Sequence, residues 1–154
     1  MNHRLNASLG LGIACCLFTA PVVGAAQSSA AAPTIVRADQ AKYGSPPAPY
    51  PAGATMAVLS GDPSKAGSEY AVRLKLVNGT KIGVHTHGDT ENVTVISGTL
   101  LVGVGTAFDA AKMLALKPGD YVSIPSGTPH FAMARGLTVV QVNGVGPASM
   151  TLLK

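Results

Sequence analysis

Charged residues are scarce in this chain and are nowhere concentrated. They make up 12% of the 154 residues, and the formal net charge of +4 comes from lysines and arginines that form no basic run. Binding to nucleic acid or to anionic lipid usually requires such a run, so the charge pattern argues against both kinds of partner. With 47% hydrophobic residues, a chain of this length suits one compact domain with a sizeable core.

The N-terminal segment has the features of a secretory signal peptide. Residues 1–4 form a short basic start, residues 9–23 are almost entirely apolar or small, and Val23-Gly24-Ala25 before Ala26 offers a small-x-small cleavage site. A membrane-spanning helix needs about 18 apolar residues, and this run is shorter. We therefore predict a signal peptide over residues 1–26, cleavage near Ala25/Ala26, a periplasmic or secreted product, and no stable membrane anchor after cleavage.

Cysteine is nearly missing from the chain. Cys15 and Cys16 are the only two, and both lie in the segment that we expect to be removed. The mature protein then has no thiol, which excludes a disulfide framework, a redox pair and a cysteine nucleophile. The stability of the mature protein must then come from its hydrophobic core or from a bound metal.

Residues 27–51 are predicted to be an extended arm or linker, ahead of a domain over residues 52–154. The arm is rich in Ala, Ser and Pro, and its proline-dense end can donate few backbone hydrogen bonds. Tyr43 and Tyr50 are expected to pack this arm onto the domain surface.

The domain is predicted to be all-β. Eighteen glycines and eleven prolines are spread without a repeat period, and from Thr55 onward segments rich in Val, Ile, Leu and Thr alternate with turn residues. A helical pattern is plausible only over residues 106–116. Asn78-Gly79 predicts a type I′ hairpin turn, in which both central residues have positive φ. Strands are expected at residues 55–60, 69–77, 81–87, 92–97, 99–103, 121–124, 130–133, 137–142 and 149–152.

The strands differ in how many of their faces are apolar. In residues 69–77 the even positions are apolar, and Arg73 and Lys75 alternate with them, so one face of that strand should contact solvent. Residues 93–96 and 137–142 are apolar on both faces, as expected where the second face meets another sheet or another subunit. A homodimer formed through such a sheet is therefore one expectation.

The histidines of the domain fall in two short segments. His85 and His87 are two residues apart on a predicted strand and so project from the same face, Glu91 can return from the following turn, and His130 comes from a neighbouring strand. Three histidines and one carboxylate suit one divalent transition metal ion: Fe, Mn, Zn, Ni, Co or Cu. A structural zinc site would more often use thiolates, so an open coordination position is favoured.

The spacing of these residues resembles the two motifs of the cupin family. Gly79, His85, His87, Glu91 and Gly98 meet the pattern G-x5-H-x-H-x3-E-x6-G. The second pattern, G-x5-P-x-G-x2-H, is met by Gly119, Pro125, Gly127 and His130. The resemblance extends over about residues 55–153, and the chain also resembles small exported proteobacterial cupins of unassigned activity. It implies a single antiparallel jelly-roll barrel of six to eight strands with a metal inside. The residue patterns add a short helical turn between the motifs and an extended N-terminal arm.

Other polar residues are weaker candidates for the site. Gln141 and Asn143 share one parity of a late strand, and could either face the pocket and orient a substrate or cap the end of the barrel. Asp89 is expected to make hydrogen bonds within its own turn more readily than to support a ligand. Ala134 stands where the second motif commonly has an asparagine, a departure that costs no metal ligand.

The sequence leaves several functions open. The leading hypothesis is a metal-dependent enzyme acting on a small organic molecule, with oxygenase, decarboxylase, isomerase and lyase reactions all compatible with the ligand set. The alternative is a non-catalytic periplasmic module that binds or senses a metal and a small ligand. A purely structural metal is a third reading.

Overall fold

The structure, a computed structural model, describes residues 32–154, so the predicted signal peptide and the first residues of the arm lie outside the described part. Within residues 32–154 no helix is both long and apolar enough to cross a bilayer. Helical structure there is limited to two 3-10 turns, Ala38–Gln40 and Ala110–Lys112. The strands are β1 (Ala54–Ser60), β2 (Glu69–Leu76), β3 (Lys81–Thr86), β4 (Glu91–Val104), β5 (Leu114–Leu116), β6 (Tyr121–Ile124), β7 (His130–Val145) and β8 (Thr151–Leu152).

The eight strands form one antiparallel sheet that is folded over itself. Its main path runs β1-β2-β7-β3-β8, and β4 pairs with β5, β6 and β7. The first half of β7 lies between β3 and β4, whereas its second half lies between β2 and β4. The two long strands therefore belong to both layers of the barrel. The predicted all-β jelly-roll, with its short helical turn between the motifs and its N-terminal arm, is confirmed.

Two of the predicted turns are bends within the long strands β4 and β7, and neither of them reverses the chain. Residues 92–97 and 99–103 were expected as separate strands, and so were residues 130–133 and 137–142, but each pair is one strand with an irregularity at its middle. Gly98 lies at the bend of β4 with φ 78°, and an added Cβ would collide with the carbonyl oxygen of Leu137 and lie 2.7 Å from Cα of Thr138. Glycine is required there both by the backbone conformation and by the close approach of β7.

The short helical turn expected within residues 106–116 is present as Ala110–Lys112, whereas the turn type expected at Asn78-Gly79 is wrong. Residues 106–116 contain only the 3-10 turn and β5, because Asp109 caps that turn by accepting a hydrogen bond from the Ala111 amide (3.0 Å) and the chain then joins the edge of β4. Asn78-Gly79 does not form a type I′ hairpin. Only Gly79 has positive φ (80°), Thr80 N–H donates to Val77 O (3.1 Å) as in a type II turn, and the turn carries the chain from β2 to β3 across β7.

The core lies between the layers and is made by alternating residues. In β2 the side chains of Tyr70, Val72, Leu74 and Leu76 are buried, and the opposite parity is more exposed, as the alternation predicted. Apolar residues of β4 and β7 complete this core. On the second face of those strands Ile96 is 44% exposed and Leu137 is 59% exposed, and dimerisation through this face stays a prediction.

The position of the second motif where an asparagine is common lies inside the core. Ala134 is buried in the middle of β7, not at a strand end. Its amide donates to Thr80 O (3.0 Å) and its carbonyl accepts from Gly79 N–H (2.9 Å). Because both backbone groups are satisfied by the turn of the first motif, a small apolar side chain is sufficient at this position.

The arm lies along the barrel. Gly44 and Met56 exchange backbone hydrogen bonds of 2.9 Å, which adds a short bridge to the edge of β1. The Lys75 ammonium lies 4.2 Å from the centre of the Tyr43 ring, a cation–π contact that packs the arm on β2. Tyr43 thus has the packing role expected of it.

Candidate metal centre

The four predicted ligands come together at the end of one barrel layer. His85 is the next-to-last residue of β3, His87 follows that strand directly, Glu91 begins β4 and His130 begins β7. His85 and His130 are cross-strand partners, and their ring centres are 4.0 Å apart. The ring of His87 lies 4.8 Å from that of His85 and 5.2 Å from that of His130. The two histidines of the first motif therefore do project to the same side.

Each imidazole is oriented by a backbone carbonyl. The Nδ1 atoms of His85, His87 and His130 lie 2.7, 2.6 and 2.9 Å from the carbonyl oxygens of Gly83, Ser149 and Thr128, respectively. A carbonyl oxygen only accepts hydrogen bonds, so each Nδ1 carries the hydrogen. In a neutral imidazole the lone pair is then on Nε2, which is the arrangement found in most metal-binding histidines.

The spacing of the donor atoms fits one ion. One nitrogen from each of the three histidines lies within 4.8 Å of the others, and Glu91 Oε2 is 3.5 Å from His87 Nε2 and 3.3 Å from His130 Nε2. Two ligands bound at about 2.1 Å to one ion lie roughly 3.0 to 3.4 Å apart. His87 Nε2 is also buried without a hydrogen-bond partner among the described residues. Such an atom is costly unless something binds it, so the donor set fits a divalent transition metal.

Electrostatics prepare the site for a cation. Burial, together with the adjacent His130 and His87, lowers the pKa of His85 to about 4, so this imidazole is neutral at pH 7. Burial acts to raise the pKa of Glu91, but the hydrogen bond from His130 and the electrostatic interactions with the nearby imidazoles outweigh it and lower the pKa. Glu91 is thus a carboxylate. Burial acts to lower the pKa of His130, and its hydrogen bond to Glu91 outweighs that effect and raises the pKa.

The loop that carries His87 is held from two sides. The Gly88 amide donates to Ser149 Oγ (2.9 Å), and the Ser126 hydroxyl donates to the Gly88 carbonyl (2.8 Å). Gly127 N–H donates to the carbonyl of His87 (2.9 Å). The turn of the second motif and the C-terminal segment therefore position a histidine of the first motif. The role of Ser149 has no signal in the sequence, because 62 residues separate it from His87.

Two spaces adjoin the four side chains, and they differ in size. The inner one lies within the barrel, is lined mainly by aliphatic residues together with His85, Glu91 and His130, and has a volume of only about 30 Å³. The outer one, which we call the cleft, has a volume of about 430 Å³ and is lined in part by His87 and Glu91. The inner space is large enough for water only. The cleft is in the size range of small-molecule sites, so an organic ligand would reach the centre from this side.

Tyr50 lines both spaces, a position that the sequence did not reveal. It was expected to pack the arm on the surface, whereas it is partly buried against the core at the mouth of the inner space. Burial raises its pKa well above the usual value, and the negative charge of Glu91 raises it further. The phenol therefore keeps its proton and can serve as a hydrogen-bond donor.

Asp89 connects this loop to β2. Its Oδ2 accepts a hydrogen bond from the Tyr70 hydroxyl (3.0 Å), so it does not serve only its own turn as expected. Burial and the Asp89 charge raise the pKa of Tyr70 well above its usual value. The contact holds the residues just before Glu91 against the barrel.

Gln141 and Asn143 are not brought to the centre. Val140 and Val142 of the same strand point inward and line the inner space, so the residues of opposite parity point outward. Gln141 Oε1 accepts from Arg73 Nη2 (3.0 Å), and Gln141 Nε2 donates to Asn143 Oδ1 (3.3 Å). The lumen is apolar at this level and excludes polar side chains, which explains the orientation. The predicted substrate contacts therefore lack structural support.

A family model described as a cupin domain matches residues 72–142. That segment is a cupin domain. The matched segment contains all four candidate ligands, and the fold agrees with the two motifs that the sequence carries. No curated protein sequence matches the chain.

Solved structures show the same fold at low identity. The polyketide cyclase RemF from Streptomyces resistomycificus is 16% identical, with a TM-score of 0.66 over 78% of this chain and 84% of that chain. An RmlC-like cupin from Shewanella frigidimarina is 17% identical, with a TM-score of 0.57 over 74% of this chain and 91% of that one. KdgF from Halomonas sp. is 19% identical, with a TM-score of 0.55 over 71% and 93% of the two chains. At these identities the likeness establishes the fold and no activity.

Proposed function

We propose that this cupin is a metal-dependent enzyme that acts on a small organic molecule. His85, His87, Glu91 and His130 would hold one divalent transition metal. The observation that carries the proposal is that all three Nδ1 atoms are held by backbone carbonyls, which leaves the Nε2 atoms directed toward one another beside a carboxylate. A bound metal would supply a Lewis acid or a redox centre, according to which ion is taken up.

An enzyme is supported over a structural metal site by the cleft. Four protein ligands do not fill a coordination sphere of five or six, and the cleft leads to His87 and Glu91 from outside. Tyr50 lies where the cleft meets the inner space, and its protonated hydroxyl is suited to donate to a substrate oxygen. The apolar inner space limits water at the centre. One solved structure of this fold is named a polyketide cyclase, so the fold supports chemistry on small organic molecules.

Export is part of the proposal. It is supported by the basic start, the apolar segment and the small-x-small site in residues 1–26. N-terminal sequencing of the protein recovered from a periplasmic fraction should begin at or next to Ala26. Recovery of a chain that still begins at Met1 would contradict export with cleavage.

The metal assignment is tested by elemental analysis of the protein purified without a histidine tag. Wild-type protein should contain about one equivalent of a divalent transition metal, and His85→Ala/His87→Ala and Glu91→Gln should contain much less. Asp89→Asn is the matched control, because that carboxylate is two residues from Glu91 but contacts Tyr70. Equal metal content in the wild type and the double variant would refute the site.

Turnover distinguishes the enzyme from a binding module. The metal-loaded protein should convert a member of a panel of diketones, thiols, hydroxy acids and uronates. Tight binding of a panel member without turnover would favour the binding or sensing module. If metal removal lowers thermal stability while no compound perturbs the spectrum of the bound metal, the metal is structural.

A further inference from the structure

The walls of the cleft come mainly from outside the segment that the family model matches. The candidate ligands lie within residues 72–142. By contrast, most of the cleft is built by the arm, by the loop after β1 and by the segment before β8; these contribute Pro47, Ala48 and Tyr50, then Pro63 and Ser64, and finally Ala148, Ser149 and Met150. The candidate metal centre therefore lies within the matched segment, whereas most of the cleft wall lies outside it.

The lining of the cleft carries no cationic side chain. None of the lysines and arginines in residues 32–154 is among its lining residues, and its ionisable groups are His87, Glu91 and two tyrosines. Burial raises the pKa of both Tyr50 and Tyr70, so the phenols are uncharged. The remaining lining is made of proline, alanine, methionine and valine side chains and two serines.

This lining discriminates among ligands by charge. A charged group moved from water into such a cleft loses its hydration and finds no oppositely charged side chain on the walls, which is costly. Apolar surface buried there contributes about 25 cal/mol per Å² in favour of binding. An anionic group could be compensated only at the metal end, beside His87 and Glu91. A cationic group would be repelled from that end once the ion is bound.

We propose that the cleft binds an uncharged, largely apolar small molecule through its walls and directs one or two oxygen atoms of that molecule to the metal centre. The contact of the oxygen atoms with the metal rests on the proposed function, whereas the preference for an uncharged body rests on the cleft walls alone. Hydrogen bonds from Tyr50 and Ser149 would orient the molecule. Substrates with a charge distant from the reacting oxygen, such as uronates and phosphate esters, are excluded.

A pair of catechols tests the charge preference. Methyl 3-(3,4-dihydroxyphenyl)propanoate and its free acid share the same metal-binding head and differ only in a distal ester or carboxylate. Their affinities for the Co(II)-loaded protein are measured by isothermal titration calorimetry. The ester should bind at least about tenfold more tightly, which corresponds to about 1.4 kcal/mol. Equal or tighter binding of the acid overturns the inference.

A second measurement locates the preference in the cleft. Ser64 is an exposed residue of the cleft rim, so Ser64→Arg adds a cation there, and Ala115→Arg adds the same charge on the exposed face of β5, away from the cleft. Ser64→Arg should reduce the preference for the ester by several fold, and Ala115→Arg should leave it as in the wild type. Circular dichroism confirms that both variants are folded. If the two variants change the preference equally, the cleft does not set it and the inference fails.

The metal content of each sample separates this inference from the proposed function. If the protein takes up no metal, the proposed function fails, and the two compounds are then compared on the same protein by ligand-observed NMR. A preference for the ester in that comparison supports the uncharged cleft, and its absence overturns it. If metal binds but no preference for the ester is seen, only the inference about the substrate is lost.

Discussion

Replacing His87 by asparagine should maintain or raise stability without metal, but should reduce the stability gained from metal binding. The side chain of His87 is 9% exposed, its Nδ1 donates to Ser149 O (2.6 Å), and its Nε2 is buried with no hydrogen-bond partner within residues 32–154. An asparagine amide places an N–H close to the position of Nδ1 and has no atom in the place of Nε2. His87→Asn therefore keeps the bond to Ser149 and removes the unsatisfied nitrogen.

The size of each effect follows from these contacts. An unsatisfied buried polar atom costs about 1–3 kcal/mol, while the retained hydrogen bond is worth about 0.5–1.5 kcal/mol. The amide oxygen of the new side chain can be hydrated, because position 87 lines the cleft. After the loss of ring packing, the free energy of unfolding in chelator should equal that of the wild type or exceed it by up to about 2 kcal/mol. With metal at a thousand times its Kd, the wild type should gain about 4 kcal/mol. The variant, which lacks one ligand, should gain less than half of that.

The assay is urea unfolding followed by circular dichroism, in EDTA and in excess Zn(II). His130→Asn is the matched control, because His130 Nε2 has a partner in Glu91 at 3.3 Å. This control should lose stability in EDTA, since it removes a charge-assisted contact within a buried pair. The reasoning is refuted if His87→Asn is more than about 1 kcal/mol less stable than the wild type in EDTA, or if it gains as much stability from Zn(II) as the wild type does.

Three other predictions follow from local contacts. Tyr70→Phe removes a hydrogen bond to a carboxylate and should lower the free energy of unfolding by about 1.5–3 kcal/mol. Tyr121→Phe removes an exposed hydrogen bond and should lower it by less than about 1 kcal/mol. Equal losses would contradict the argument that the more buried hydrogen bond contributes more to stability. Gly98→Ala should lower the free energy of unfolding by at least about 1 kcal/mol more than Gly67→Ala does. Both glycines have positive φ, but only at Gly98 would the added Cβ meet backbone atoms of another strand. Similar losses in the two variants would show that the bend relaxes. Metal affinity measured by competition with a chelator should fall as pH decreases, starting above pH 6.5, because the pKa of His130 lies above that ordinary value and protons compete with the metal for its Nε2. A flat profile between pH 8 and pH 6 would contradict this.

Much of the fold could be predicted because its signals are local. The alternation of Val72 and Leu74 with Arg73 and Lys75 predicted the inner and outer faces of β2, and the structure confirms them. The strand breaks predicted at residue 98 and after residue 133 were wrong for one reason. Gly98 and Gly136 have positive φ, which usually ends a strand, but here each continues a strand through a bend that the partner strand stabilises.

The residues of the site were predictable to different degrees. His85 and His87 are two apart on a strand, so their shared face follows from the geometry of a single segment. For Gln141 and Asn143 the same parity argument needs one more fact, namely which face of β7 meets the lumen. That depends on the pairing of β7 with β2 and β4, which a single strand does not specify.

The amino-acid sequence by itself determined the four candidate ligands and the barrel that carries them, because the motif spacings set strand parity and turn positions within short stretches of chain. Only the tertiary structure decided what surrounds those ligands. Ser149 orients His87 from 62 residues away, and Tyr50 reaches the centre from an arm that precedes every strand. Such contacts join residues that are distant in the chain, and they depend on how the sheet closes over itself. The cleft, and with it the class of molecule that can enter, is therefore a property of the closed barrel and not of any one motif.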